Sequence, residues 1–219
     1  MTNIAIVDYG MGNLRSVSKA LEHVAPTATI VVTSDPSVVN KAERVVVPGQ
    51  GAMPNCMHEL EIRGLRSAVK EAADSKPFLG ICIGLQMLFE KSEEGNIKGL
   101  GILPGRVLHF PSSAMTTPDG QKLKVPHMGW NQVHQTIDHP LWHGIANDAR
   151  FYFVHSYYVE TTASEPVAAR SDYPFPFTCA VAKDNIFAVQ FHPEKSHIAG
   201  LTLLSNFANW KPHFPDQAS

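Results

Sequence analysis

The sequence predicts an α/β protein with an open, mostly parallel central sheet, flanking helices and additional antiparallel strands in its second half. Three observations point there. Short β-branched runs alternate with helical spacing over the first ninety or so residues, one apolar run ends in a glycine-flanked cysteine, and residues 101–191 hold strand after strand separated by brief turns. Asn3–Asp8 is the first strand, ending at Gly10-Met11-Gly12-Asn13, and Leu14, Val17, Leu21 and Val24 follow on one helical face. Ile30–Thr33 reads as a second strand, and Arg44–Pro48 as a third that proline stops before the flexible Gly49-Gln50-Gly51. Leu65, Val69, Ala72 and Ala73 mark a helix, Pro77–Ile81 the strand that delivers Cys82, and Leu85, Met87, Leu88 and Phe89 a helix behind it. Such alternation gives right-handed βαβ units.

The second half expects strands at Gly101–Phe110, Trp130–Thr136, Phe151–Glu160, Pro166–Arg170, Thr178–Ala182 and Ile186–Phe191, with Asp184-Asn185 as a hairpin turn. Residues 111–124 are polar and turn-rich, a surface excursion. Ile198–Trp210 carries Leu201, Leu204, Phe207 and Ala208 at helical spacing and closes the fold. With no repeat or linker, the 219 residues read as one domain over 1–211 and a loose tail over 212–219.

Composition removes several function classes. A net charge of -2 gives no electrostatic basis for binding nucleic acid or an anionic membrane. No apolar run approaches the roughly 18 residues of a membrane span, and the N-terminus has an early acid instead of a basic leader. Three cysteines, Cys56, Cys82 and Cys179, lack metal-like spacing, and the histidines form no ligand cluster. Reduced thiols in a cytoplasmic setting, with no metal, are the expectation.

Cys82 lies in Gly80-Ile81-Cys82-Ile83-Gly84, where flanking glycines let strand and helix approach around a corner residue. That is the nucleophile-elbow pattern with sulfur in place of oxygen. The corner puts Cys82 at a helix N-terminus, whose free N–H groups and dipole favour thiolate. The Ile83 N–H is placed to meet an oxyanion, and a second donor can come from Gln50 or Gly51 in the Pro48–Gly51 loop. Far along the chain, His192-Pro193-Glu194 follows a β run. A residue before proline is extended, so His192 and Glu194 can share a face, His192 as base toward Cys82 and Glu194 orienting the ring. Cys56 and Cys179 read as core cysteines. Gly10-Met11-Gly12 is no nucleotide loop, because Arg15 stands where a third glycine is needed.

Pro48-Gly-x-Gly51, Gly80-x-Cys-x-Gly-x-Gln86 and Phe191-His-Pro-Glu194 occur in the order that the class I (triad) glutamine amidotransferases share, and the chain resembles that family end to end. Val7–Leu14, Val125–Asn131, Tyr152–Tyr157 and His192–Ser196 narrow the resemblance to its imidazole glycerol phosphate synthase branch, Pro126-His127-Met128-Gly129-Trp130-Asn131 being the most discriminating. The resemblance implies a flavodoxin-like fold and glutamine hydrolysis through a thioester on Cys82. It implies ammonia transfer to a separate (β/α)8 cyclase subunit in histidine biosynthesis, without a metal or organic cofactor. By the same resemblance Gly51, Gln86, His155, Ser156 and Tyr157 hold glutamine, and Gly10, Asn13, Pro126, His127, Met128, Trp130, Asn131 and Lys195 face the cyclase. His155 is alternatively a strand histidine satisfied by a neighbour, Trp130 a core tryptophan, and Lys195 a solvated lysine. His197 departs from the family by standing where glycine is frequent. The rival readings are another amidotransferase glutaminase, of the anthranilate synthase or pyridoxal phosphate synthase type, a stand-alone cysteine hydrolase, and a silent interaction subunit.

Overall fold

Strands without hydrophobic alternation must be covered on both faces, and those lie at the centre of the sheet. The computed structural model describes residues 2–117, 119–162 and 166–212. Its elements are β1 (Asn3–Val7), α1 (Leu14–Val24), β2 (Thr29–Thr33), α2 (Pro36–Lys41), β3 (Arg44–Gly49), α3 (Met53–Ile62), α4 (Arg66–Ser75), β4 (Phe78–Cys82) and α5 (Ile83–Gln86). There follow β5 (Phe89–Ser92), β6 (Ile97–Lys98), β7 (Leu103–His109), β8 (His127–Gln132), β9 (His134–Gln135), β10 (Arg150–His155), β11 (Tyr157–Thr161), β12 (Val167–Asp172), β13 (Pro176–Lys183), β14 (Ile186–Val189) and α6 (His197–Asn209).

The main sheet runs β2-β1-β3-β4-β14-β13-β11-β7-β5-β6, with β12 on β13 and β9 on β12. From β2 to β14 every pairing is parallel, and from β13 onward the pairings are antiparallel except that of β7 with β5, which is parallel. The fold class read from sequence is the one observed. β3, β4 and β14 are buried along their whole lengths. β8 and β10 form a separate antiparallel ribbon. The single run expected over Phe151–Glu160 is broken at Ser156, which sends β10 to the ribbon and β11 to the main sheet.

Several expected boundaries move for physical reasons. Pro48 does not stop β3. It lies past Val46, the last residue of β3 paired with β1, so its missing N–H breaks no ladder bond, and its carbonyl accepts from the Tyr9 hydroxyl at 2.7 Å. The strand continues to Gly49, which pairs with Cys82. Two helices fall outside the sequence expectation, although both carry signals. Asp35 caps α2 by accepting from the Ser37 N–H at 2.8 Å, with Pro36 at the first helical position. On α3, Met53, Cys56, Met57 and Leu60 form a buried face at helical spacing. The Asp184-Asn185 turn does form, and Asn185 donates to the Ala73 carbonyl at 2.7 Å, tying the hairpin to α4. The excursion after Phe110 is held by buried Met115 and a bridge between Thr116 and Lys122. α6 packs on α1. The expected tail beyond Pro212 lies outside the described residues.

The central strands set the position of the elbow through one close contact. A Cβ on Gly84 would land on the Val47 carbonyl oxygen of β3, and one on Gly80 would lie 2.8 Å from the Gly84 carbonyl. Gly84→Ala is expected to destabilise the fold by about 3 kcal/mol or more, as overpacking against fixed backbone does. At Gly101 an added methyl meets nothing within 4 Å, and alanine there costs only the roughly 1–2 kcal/mol of a left-handed residue. Urea unfolding of the two variants checks the difference, and equal losses would contradict it.

Candidate active site

The carboxyl ends of β3, β4 and β14 lie side by side, the edge where open α/β sheets bind ligands. Cys82 closes β4 with φ 56 and ψ -108, a conformation that L-residues avoid at a cost of about 1–3 kcal/mol. The flanking glycines permit that corner. The helix behind it is one turn, not the longer helix that Leu85 to Phe89 suggested. The Met87 carbonyl accepts from Leu100 N–H at 2.7 Å and the Leu88 carbonyl from Ile102 and Leu103 at 2.9 Å, so the chain is drawn into β5. The dipole expected at Cys82 is therefore that of a single turn. What remains are the free N–H groups of that turn, Ile83 first.

His192 and Glu194 meet, but not by shared extension. His192 is extended as the pre-proline rule requires, with φ -106 and ψ 94, and a turn over Pro193–Lys195 swings Glu194 back. His192 Nδ1–H then donates to Glu194 Oε1 at 2.9 Å, the two side chains being 3% and 1% exposed. The His192 N–H donates to the Tyr152 carbonyl at 2.9 Å, which pins the segment to β10. Nε2 has no close hydrogen-bond partner among the described residues and faces the Cys82 thiol. Burial alone would lower the imidazole pKa, but Cys82 and Glu194 outweigh it and raise the pKa to about 10.

The Pro48–Gly51 loop is braced from two sides. Tyr9, whose phenol burial keeps protonated, holds the Pro48 carbonyl. The Cys56 thiol, pushed up to about 11 by burial, donates to the Gln50 carbonyl at 3.6 Å. A planar trans peptide turns the Gly51 N–H away from Cys56. Gln50, Gly51, Cys82, Ile83, Gln86 and His192 border one cleft of about 410 Å³, completed by the 155–157 segment, Pro126 and Lys195. Sequence reasoning missed Glu94, Tyr152 and Val154 on the same cleft, and Gln190 beneath it. Gln190 alone carried a signal, a polar amide ending an otherwise apolar buried run.

His155 lines the cleft with both ring nitrogens already taken. Its Nδ1–H donates to the Tyr157 carbonyl at 2.7 Å, and its Nε2 accepts from His127 Nδ1 at 3.0 Å. His127 Nε2 in turn accepts from Asn131 Nδ2 at 3.4 Å. Burial holds both rings neutral, His127 at a pKa of about 4 and His155 at about 3. The side chain is thus a strand histidine satisfied by its neighbours. His127 is 3% exposed and does not reach the surface expected of it. Trp130 is not a core residue: it is 40% exposed, beside Met128 at 61%, and stacks on His197 at 4.9 Å. His197 has φ 49, the left-handed conformation that glycine adopts freely, and the Trp130 ring covers it. Gly10 and Lys195 are exposed, Asn13 half-buried, and Lys195 Nζ lies 5.9 Å from the Tyr152 ring.

The fold and this cysteine-centred cleft define a class. Residues 5–209 match the family Glutamine amidotransferase class-I, and the chain belongs to that family of enzymes. Within it, the chain is 74% identical over 212 residues to the imidazole glycerol phosphate synthase subunit HisH of Nitrosospira multiformis, covering 97% of this chain and 100% of that protein. The protein of the same name from Nitrosomonas europaea is 68% identical over the same shares, and that of Neisseria meningitidis 55% identical over 94% of this chain and 99% of its own. Among solved structures, a glutamine amidotransferase from Thermotoga maritima superposes with a TM-score of 0.61 at 14% identity, over 88% of this chain and 76% of that one. That likeness speaks for the fold. No helix among the described residues is long and apolar enough to cross a membrane.

Three histidines kept neutral by full or partial burial give a pH dependence of known sign. His127, His139 and His155 bind protons in the unfolded chain below about 6.5 but in the fold only near 4 or below. The unfolded state takes up more protons in that window, so stability falls as pH drops through it, by up to about 4 kcal/mol per unit for three protons. His192 acts oppositely: its contribution is complete below about 6.5 and lost as pH rises toward 10. Urea unfolding in pH steps checks this, and a flat profile between about pH 6.5 and 4.5 would contradict buried neutral rings.

Proposed function

We propose that the chain is the glutaminase subunit of an imidazole glycerol phosphate synthase, with Cys82, His192 and Glu194 as its catalytic triad. The observation that carries the mechanism is the convergence of these three residues at one sheet edge, with His192 Nε2 free to exchange a proton with Cys82.

Glutamine lies in the cleft, its α-ammonium toward Glu94 and its polar ends met by Gln86, Ser156, Tyr157 and Gly51. Cys82 Sγ, its proton passed to His192 Nε2, attacks the side-chain amide carbon. The oxyanion is held by the N–H groups of Ile83 and of Gly51, whose peptide partner, the Gln50 carbonyl, is braced by Cys56. Collapse breaks the C–N bond, His192 protonates the leaving nitrogen, and ammonia departs from a γ-glutamyl thioester. Water then attacks the thioester and gives its proton to His192. Glutamate leaves as sulfur is expelled. Glu194 keeps the imidazole in the tautomer that presents Nε2 throughout. The steps are complete with this chain's own groups, over residues 1–211 acting as one catalytic unit.

Ammonia is then delivered to a (β/α)8 cyclase subunit in the cytoplasm, which completes a lyase reaction of histidine biosynthesis. The exposed Met128 and Trp130, with Lys195 and Gly10 along the same sheet edge, support a partner surface beside the cleft. Cys82→Ala is expected to lower glutamine hydrolysis by about 10³-fold or more while leaving urea unfolding and cyclase binding in place. Hydrolysis retained by a clean preparation would refute the assignment. A second expectation separates this reading from a stand-alone hydrolase. Glutamine turnover by the isolated chain is slow and rises when the cyclase and its ligand are added. Full-rate turnover without the partner would count against it.

A further inference from the structure

We propose that Gln190 is a positioning residue for the nucleophile, its buried amide locked so that the NH2 group donates to the Cys82 sulfur. The inference rests on Cys82 being the nucleophile, and it adds a group that the triad does not include.

The orientation of the amide follows from an acceptor that cannot be reversed. The Tyr157 carbonyl has no proton to give, so the side-chain atom of Gln86 that lies 3.3 Å from it must be the nitrogen. That same nitrogen lies 3.0 Å from Gln190, which must therefore present its oxygen to Gln86. The other end of the Gln190 amide is then NH2, and it lies 3.7 Å from Cys82 Sγ, within reach for the larger sulfur atom. Gln190 is 0% exposed. If its role were only to satisfy Gln86, its NH2 would be a buried donor with no acceptor, at a cost of about 1–3 kcal/mol. Sulfur takes that donor. A donor favours the charged sulfur over the neutral thiol.

The lock extends in both directions. The Tyr157 carbonyl also accepts from His155, which accepts from His127, which accepts from Asn131, so the anchor itself is held from β8. On the cleft side, Gln86 Oε1 is buried without a partner among the described residues, leaving it free for a donor on a bound ligand. The titratable groups around the sulfur are His192 after β14, with Glu194 behind it, Cys56 on α3 and Tyr9 after β1. None of these can replace an amide donor arriving from Gln190.

The test is the rate of Cys82 alkylation by iodoacetamide against pH in the full chain, located by peptide mass spectrometry so that Cys56 and Cys179 do not contribute. Wild-type Cys82 is expected to be alkylated faster at pH 7 than a free cysteine, as a nucleophilic thiol is. Gln190→Met keeps the length and removes the donor, and the midpoint should rise by about one pH unit, with the midpoint read directly from the profile. Glutamine hydrolysis at pH 7 should fall about tenfold in kcat with KM nearly unchanged. Gln86→Met, which does not touch the sulfur, should reproduce part of the shift because it unlocks the Gln190 amide, and it carries the test if Gln190→Met fails to fold. A reactive wild type with profiles unmoved in the folded variants would overturn the proposal. A wild type no more reactive than a free thiol would instead overturn the nucleophile reading, and the Gln190 inference with it.

Discussion

The contact between Gly84 and the Val47 carbonyl governs the geometry of the site. Because position 84 has no side chain, the turn of α5 settles against the backbone of β3, and Cys82 is forced into its left-handed corner. The corner points sulfur out of the sheet edge instead of into the core. From that one approach the rest follows: β3 ends beside the sulfur and offers its loop, and β14 ends on the other side and offers His192. A larger residue at 84 would separate strand from turn, and the three strand ends would no longer share a site.

Electrostatics complete what packing begins. An imidazole and a carboxylate buried to 3% and 1% exposure lose solvation that a single 2.9 Å hydrogen bond only partly returns. Glu194 Oε2 and His192 Nε2 are both left without close partners among the described residues. Unsatisfied buried groups are uncommon in folded proteins. The neighbouring histidines are treated in the opposite way. His127 and His155 have every ring nitrogen engaged and are kept neutral, so they hold position and do not exchange protons.

The rim beside the cleft carries strain of its own. His197 adopts a conformation that glycine would adopt more easily, and the Trp130 ring lies parallel to it at 4.9 Å. The ribbon of β8 and β10 carries that tryptophan outward, while its other face sends His127 inward to the polar chain under the cleft. One short ribbon thus connects an exposed apolar surface to the backbone that lines the cleft.

Local patterns determined a great deal by themselves. The β-branched runs, the glycines around Cys82 and the proline after His192 constrain backbone within a few residues, and those constraints survive in any fold that contains them. They gave the sheet class, the corner and the extended histidine, and the cap before α2 and the buried face of α3 were there to be read. Tertiary structure decided whatever depended on partners far along the chain. α5 ends after one turn because Leu100, Ile102 and Leu103 capture its next carbonyls. His155 is spoken for because His127, 28 residues earlier in the chain, lies opposite it across the β8–β10 ribbon, and Gln190 reaches sulfur because a carbonyl in β11 fixes the direction of two amides. Hydrogen bonds are made between atoms that folding brings together, and a linear pattern records the residues that can make them but not which of them meet.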